Sequence, residues 1–350
     1  MQLFLQIYDK GLHSLSYVSY QKKGVRVVLG ADESIQNLVI SKVHPYIDCN
    51  KTTGTHEGIW TILTGEYAQK IQKEMTLDEV FYETKMEPRC RYLYDGEKKV
   101  IVIDEPKDVR WVTQHALRLI RVLLRLMCYQ KGLIYLHGGI MEMNHKGVAL
   151  IGGSRAGKTS TILSLLALTD ARYITNDDIG IEYKDNQYTG TGWPRSMSIR
   201  KDSFEAIEAL DTQYRLQTSS HPFNQDDKKY HFVYPEELEK WFAREVKTKG
   251  KIDVIVFPEF LPHGQTGAAL SKITPQEAAE RLKQHAVINP GRHNEFLLPY
   301  FTLPTPQELE PFLDTLAKKI PCYSLKQAFT SLEKGTALLQ ELLEQSDIVV

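Results

Sequence analysis

The chain has 350 residues, a length that suits about two domains. It is 42% apolar and 25% charged, a balance that builds an ordinary globular core. Its net charge of −1 excludes the global positive field that would draw in nucleic acid or an anionic membrane, and neither is expected as a partner.

The apolar start, MQLFLQIYDKG, is too short and too interrupted for a secretory signal, and no later run reaches bilayer length. Residues 1–105 read as a small β-rich unit. Gln2–Tyr8, Gly24–Leu29, Leu38–Val43 and Lys99–Ile103 are short runs of branched and aromatic residues with strand character. The polar, Gly- and Thr-containing stretch Cys49–Glu57 reads as a loop. This unit carries no chemical motif, which leaves packing, self-association or partner recognition. Asp104–Gly132 is the first strong helix, with Asp104 or Asp108 as its cap and Val109, Val112, Ala116, Ile120, Leu123 and Met127 along one face. Arg118, Arg121 and Arg125 make a basic stripe on another face and read as solvated surface.

From Leu133 strands alternate with helices. Leu133–Leu136, Gly147–Ile151, Arg172–Thr175, Gly180–Tyr183 and Ile252–Phe257 are the strand runs, and Thr159–Leu168 and Pro275–His285 the helical ones. This alternation is the signature of an α/β fold. Lys184-Asp185-Asn186 reads as a hairpin turn, and Leu325–Ser346 as an amphipathic helix. The four cysteines, Cys49, Cys90, Cys128 and Cys322, form neither a CxxC pair nor a zinc-spaced cluster. They read as free thiols of a reducing compartment, so the expected location is the cytoplasm.

The chemistry concentrates in Gly152-Gly153-Ser154-Arg155-Ala156-Gly157-Lys158-Thr159, followed by Ser160, which fits the P-loop pattern G-x4-G-K-[ST]. The glycines let the backbone curl so that amide N–H groups point at phosphate, and the helix that follows adds its N-terminal donors. Lys158 would neutralise the β/γ oxygens, and the Thr159 hydroxyl would join Mg²⁺. The preceding strand VALI and the following TSTILSLLAL supply the strand–loop–helix context such a loop requires. After the strand RYIT come Asn176-Asp177-Asp178. A carboxylate there can serve the metal while its neighbour takes a proton from a hydroxyl. The same residues spell DxxG, but no guanine-reading NKxD follows, which argues against a GTPase. His137 ends the strand LIYL and can approach the phosphates if that strand neighbours the loop's strand.

With His137-Gly138, the loop GGSRAGKTS and the pair Asp177-Asp178 in this order, the chain resembles the HPr kinase/phosphorylase family of bacterial serine kinases. The likeness is clearest over 130–205 and continues loosely through LSKITPQEAAERL. It implies an ATP-binding catalytic domain over 106–350, with a fold related to phosphoenolpyruvate carboxykinase, and ATP and Mg²⁺ as cofactors. Asp177 would be the base, Asp178 would support the metal and Lys158, and His137 would sit beside the phosphates.

The family's second signature, rich in Glu-Ile-Arg-Gly-Leu-Gly, is replaced by Gly190-Thr191-Gly192-Trp193-Pro194-Arg195 and Ile199-Arg200-Lys201, which argues against the reverse, dephosphorylating reaction. The first 105 residues are unlike the family's regulatory domain. The resemblance is therefore nearest to stand-alone peptide-tailoring kinases such as those of lasso-peptide clusters, whose substrate is a serine of a precursor peptide. A kinase of a free hydroxylated amino acid shares every site residue and stays open, as do a regulatory protein kinase, a non-catalytic ATP-binding module and self-association. Arg195 or Arg200 could stabilise the transferring phosphate, Lys228-Lys229 could clamp it, and Trp193 reads as buried.

Overall fold

The computed structural model describes residues 16–53, 56–84, 86–207, 210, 219–224, 229–291 and 293–345. The expected strand Gln2–Tyr8, Lys228 and the end of the tail at Ser346 lie outside them. The chain divides into two compact units. The first takes the described residues up to Lys131 with those of 289–303, and the second runs from Gly132 to Ile288 and from Pro304 onward. The division therefore falls after Lys131 and not at residue 105, because the long helix packs on the first unit's sheet.

The elements of the first unit are β1 (Tyr17–Lys22), β2 (Val25–Gly30), α1 (Glu33–Val43), β3 (Asp48–Thr52), β4 (Thr61–Leu63), α2 (Gly65–Glu74), β5 (Asp78–Thr84), β6 (Glu87–Asp95), β7 (Val100–Glu105) and α3 (Val109–Gln130). One seven-stranded sheet, ordered β3-β1-β2-β4-β7-β6-β5, collects every strand. Its centre, β2-β4-β7, is parallel, and the outer pairs are antiparallel. On one face Val28, Leu63, Val100 and Val102 pack with Ala68, Ile71 and Met75 of α2 and the residue beyond it. The alternate positions Val27, Leu29, Ile62, Ile101 and Ile103 point the other way and are equally buried. Helix α3 packs on β1, β2, β4 and β7, so apolar residues are needed at nearly every position of the central strands.

Several expectations fail here for identifiable reasons. Leu38–Val43 is helical, not extended: Ile35, Val39 and Val43 recur at four-residue spacing and are buried, while Leu38 is exposed. Cys49–Glu57 is not all loop, because its first part belongs to β3, a polar edge strand paired to β1. Polar strands of this kind carry no hydrophobic alternation to read. The helix expected from Asp104 begins at Val109, where the Asp108 carboxylate accepts from the Arg110 N–H at 2.9 Å. Asp104 is instead taken by Gln72 and Arg91. The basic stripe is not solvated. The Arg118 guanidinium donates to both oxygens of Glu87 at 2.7 Å, and Arg125 is buried and donates to the Pro290 carbonyl at 3.4 Å.

His115 sits fully buried beside this pair and accepts from the Tyr92 hydroxyl at 2.7 Å. Burial, and then the Arg118 charge, push its pKa down to about 3. In the second unit burial takes His231 down to about 4. The folded state refuses a proton that the unfolded chain accepts below about pH 6.5. Stability is therefore fully present above that pH and declines as pH falls towards the folded values, for His115 by at most about 1.4 kcal/mol per pH unit. The melting temperature should drop between pH 6.5 and pH 4.5, above the carboxylate range. A flat profile by calorimetry would show that these imidazoles titrate normally.

The second unit contains β8 (Ile134–Leu136), β9 (Gly138–Met143), β10 (Lys146–Ile151), α4 (Lys158–Leu168), β11 (Arg172–Thr175), β12 (Ile179–Lys184), β13 (Gln187–Thr191), β14 (Met197–Arg200), α5 (Lys201–Glu205), β15 (Tyr230–Val233), α6 (Pro235–Phe242), β16 (Lys249–Lys251), β17 (Val254–Phe260), β18 (Ala268–Lys272), α7 (Pro275–Gln284), α8 (Pro306–Lys319), β19 (Cys322–Gln327) and α9 (Leu332–Gln345). A six-stranded sheet, β11-β9-β10-β17-β19-β18, has β10, β17 and β19 parallel at its centre. A four-stranded antiparallel sheet, β16-β13-β12-β8, accompanies it. The fold is α/β, as the alternation of elements implied. The β12–β13 hairpin turns at Asp185 and Asn186, both left-handed with φ of 52° and 61°, the conformation of a tight two-residue hairpin. The tail is not a single helix: Leu325 to Gln327 complete β19, and α9 starts at Leu332.

Candidate active site

Two places where the chain changes sheet build the site. β8 belongs to the four-stranded sheet and β9 to the six-stranded one, and His137 is the corner between them. β11 and β12 make the opposite passage, with Asn176-Asp177-Asp178 at their corner. Because β8 pairs with β12 and β9 with β11, the two corners face each other. The Gly138-Gly139 step permits the first passage: a Cβ on Gly138 would lie 2.5 Å from Ile151 Cδ1 and 2.7 Å from the Leu150 carbonyl oxygen. Asp177 turns its corner at φ 66°, a left-handed conformation that Asp tolerates better than most residues.

The third component is the glycine loop between β10 and α4. Gly157 sits at φ 102°, where a side chain would be strained and would press on the Phe260 ring at 3.2 Å. Among the described residues no side chain caps the start of helix α4, so its first N–H groups are available to an anion. Ser154 and Arg155 are exposed and Thr159 half-exposed, whereas Lys158 and Ser160 are buried. The Lys158 ammonium uses its three protons on the Gly152 and Gly153 carbonyls, each at 2.8 Å, and on His137 Nε2 at 3.2 Å. His137 in turn donates from Nδ1 to the Asp177 carbonyl at 3.0 Å, and these partners assign its tautomer. Burial and then the Lys158 charge lower the His137 pKa, so the ring stays neutral and able to accept. Burial likewise lowers Lys158, opposed by the negative charge of Asp177.

Arg195 closes the group. Its Nη1 donates to Asp178 Oδ2 at 2.7 Å, and its Nε stands 3.9 Å from Asp177 Oδ2. The Asp178 charge is the first cause of its raised pKa. Arg195 thus joins the aspartates, while Arg200 pairs with Asp202 beside it in sequence. Trp193 is fully buried against Tyr135. Asn176 places its Nδ2 3.5 Å from Thr159 Oγ1, and its Oδ1 is buried with no hydrogen-bond partner among the described residues.

His285 joins the site without any signal in the sequence. It follows α7, and its carbonyl accepts from the His137 N–H at 2.8 Å. Its ring lies 3.7 Å from where a Gly153 Cβ would project. Burial, and then Lys158, lower its pKa. No motif flags it, since the contact exists only once α7 returns to the loop.

The fold and the site define a class: an α/β protein whose central strand runs through a glycine turn into an uncapped helix, with a buried lysine, a histidine and two aspartates gathered at that turn. No family model matches the chain, and no curated protein does. Among solved structures it is similar to the HPr(Ser) kinase/phosphatase from Coxiella burnetii, at 10% identity over 61% of this chain and 90% of that one, with a TM-score of 0.30. A likeness so slight says nothing about this chain's reaction. Among the described residues no helix is long and apolar enough to cross a membrane.

Proposed function

We propose that the chain is a Mg-ATP-dependent kinase that transfers the γ-phosphate to a serine hydroxyl of a peptide or protein, in the manner of a cytoplasmic precursor-peptide tailoring enzyme. The observation that carries this reading is the meeting of Lys158, His137 and the Asp177 corner at the mouth of the glycine loop. Phosphoryl transfer asks mainly for positioning and for charge at the terminal phosphate. Loop amides hold the triphosphate, and the Lys158 ammonium adds its charge by exchanging one of its loop or His137 partners for a phosphate oxygen. Asp177 accepts the hydroxyl proton, and Arg195 holds Asp178 in place and adds positive charge.

The residues present fit a magnesium ion shared with the nucleotide. Thr159 Oγ1, the Asp178 carboxylate, one oxygen of which Arg195 holds, and Asn176 Oδ1, without a partner among the described residues, are hard oxygen donors. Among the described residues no three His, Cys, Asp or Glu side chains cluster around a point, and a cation carried in by phosphates needs fewer protein ligands than that. When bound, the ion would draw charge from the β and γ oxygens.

The test is to incubate the chain with Mg-ATP and serine-containing peptides, including those encoded beside it, and to examine them by mass spectrometry. A single phosphate located to a serine supports the proposal. Nucleotide binding with every peptide left unmodified would defeat the peptide-kinase reading.

A further inference from the structure

A cavity of about 490 Å³ lies against the glycine loop. Gly152, Gly153 and Ala156 of the loop line it, together with Glu259, Glu277, Glu280 and Arg281. Its volume is in the range of a ligand site and suits one or two side chains.

Its position along a bound triphosphate follows from Lys158. The lysine of such a loop serves the β and γ phosphates, while the first turn of the helix lies towards the other end of the nucleotide. Here the ammonium rests on the carbonyls of Gly152 and Gly153, two residues of the cavity wall. His285, which lines the same cavity, stands beside Gly153. The lining comes from the start of the loop and not from Thr159 or Ser160. The cavity therefore opens at the end where phosphate leaves.

Its charge is unusual for a place next to a polyanion. Arg281 is shared between Glu259 at 2.9 Å and Glu277 at 2.8 Å. Lys283, outside the lining, is shared among Glu280 at 3.4 Å, Asp314 at 3.1 Å and Glu310 at 3.9 Å. Five carboxylates thus divide two cations. A neutral or acidic acceptor would meet the triphosphate on one side and surplus carboxylate on the other, whereas a cation is attracted by both.

Resting on the kinase reading, we infer that this cavity is the acceptor site and that the acceptor carries an ammonium or guanidinium close to the hydroxyl that is phosphorylated. In the reaction the bond from the γ-phosphorus to the bridging oxygen breaks, ADP leaves with the electron pair, the acceptor oxygen bonds to phosphorus, and the hydroxyl proton passes to Asp177, which stands outside the cavity lining at the corner joined to Lys158 through His137. A serine flanked by basic residues and a small hydroxylated amine share this chemistry.

The experiment uses radiolabelled Mg-ATP at low salt with pentapeptides whose central serine is flanked by arginines, glutamines or glutamates, and with ethanolamine beside ethylene glycol. The cationic member of each series that reacts should exceed its neutral analogue in kcat/KM by on the order of tenfold. Glu280→Gln and the double variant Glu259→Gln/Glu280→Gln should narrow that ratio stepwise, and Glu280→Asp should largely keep it, with melting curves confirming that each variant folds. Reaction of the arginine peptide or of ethanolamine identifies which source supplies the cation. Equal or better use of neutral or acidic acceptors, or unchanged ratios in the variants, overturns the acceptor assignment and leaves the kinase reading intact. ATP bound by the wild-type chain with no cationic acceptor modified also overturns it. Failure to bind a fluorescent ATP analogue removes the kinase reading itself.

Discussion

Lys158→Ala is expected to abolish phosphoryl transfer from Mg-ATP, with a loss on the order of a thousandfold or more in kcat. Three separate effects converge on this side chain. Its charge is the one the loop offers to the β and γ oxygens. Its ammonium ties the Gly152 and Gly153 carbonyls at 2.8 Å, so removal leaves the loop's first turn without that restraint. It is also the donor that holds His137 Nε2. The cost in stability should be modest, about 1–3 kcal/mol, because two partly buried carbonyls lose a donor. Lys158→Arg should not restore activity, since the planar guanidinium cannot place one compact charge among three acceptors. Labelled-ATP assays on folded variants decide the matter, and an alanine variant within tenfold of the parent would place the phosphates elsewhere.

Asp177→Asn should retain nucleotide binding and lose about 10²- to 10⁴-fold in kcat. The substitution is well suited to its position. Asp177 lies at φ 66°, and Asn is among the few residues that share its tolerance for that conformation. The backbone carbonyl that receives the His137 Nδ1 proton stays where it is. Arg195 keeps its shorter bond to Asp178. What disappears is the ability to accept a proton. Asp177→Ala would add backbone strain to that loss and blur the result. Full turnover in the Asn variant, measured alongside titration with a fluorescent ATP analogue, would take Asp177 out of the mechanism.

The parts of this molecule legible in the sequence are those whose cause is local. The loop 152–157 with Lys158 after it declares itself because each position has a backbone or charge requirement of its own. The α/β alternation declares itself through the periods of its strands and helices. The hairpin at Asp185-Asn186 does so because two adjacent left-handed residues suit Asp and Asn. Leu38–Val43 is ambiguous in the sequence because branched residues serve helices and strands alike, and only the burial of Ile35, Val39 and Val43 separates the two. The burial of Arg118 is not legible because its partner Glu87 lies on a strand for which the sequence offers no signal, and that of Arg125 because its acceptor is the distant Pro290 carbonyl.

By itself, then, the sequence determined that a glycine turn joins a strand to a helix with a lysine at the junction, and that a histidine and two aspartates stand at the ends of other strands. Only the tertiary structure decided that those ends meet. The pairing of β8 with β12 and of β9 with β11 sets two sheet corners opposite each other, so His137 reaches both Lys158 and the Asp177 carbonyl. It also decided that Arg195, and not Arg200, joins the aspartates, and that α7 returns Glu277, Glu280 and the following His285 to the loop beside Glu259 of β17. The physical reason is that side-chain periodicity reports which face of an element is buried, whereas the register between distant strands is chosen by the whole sheet at once.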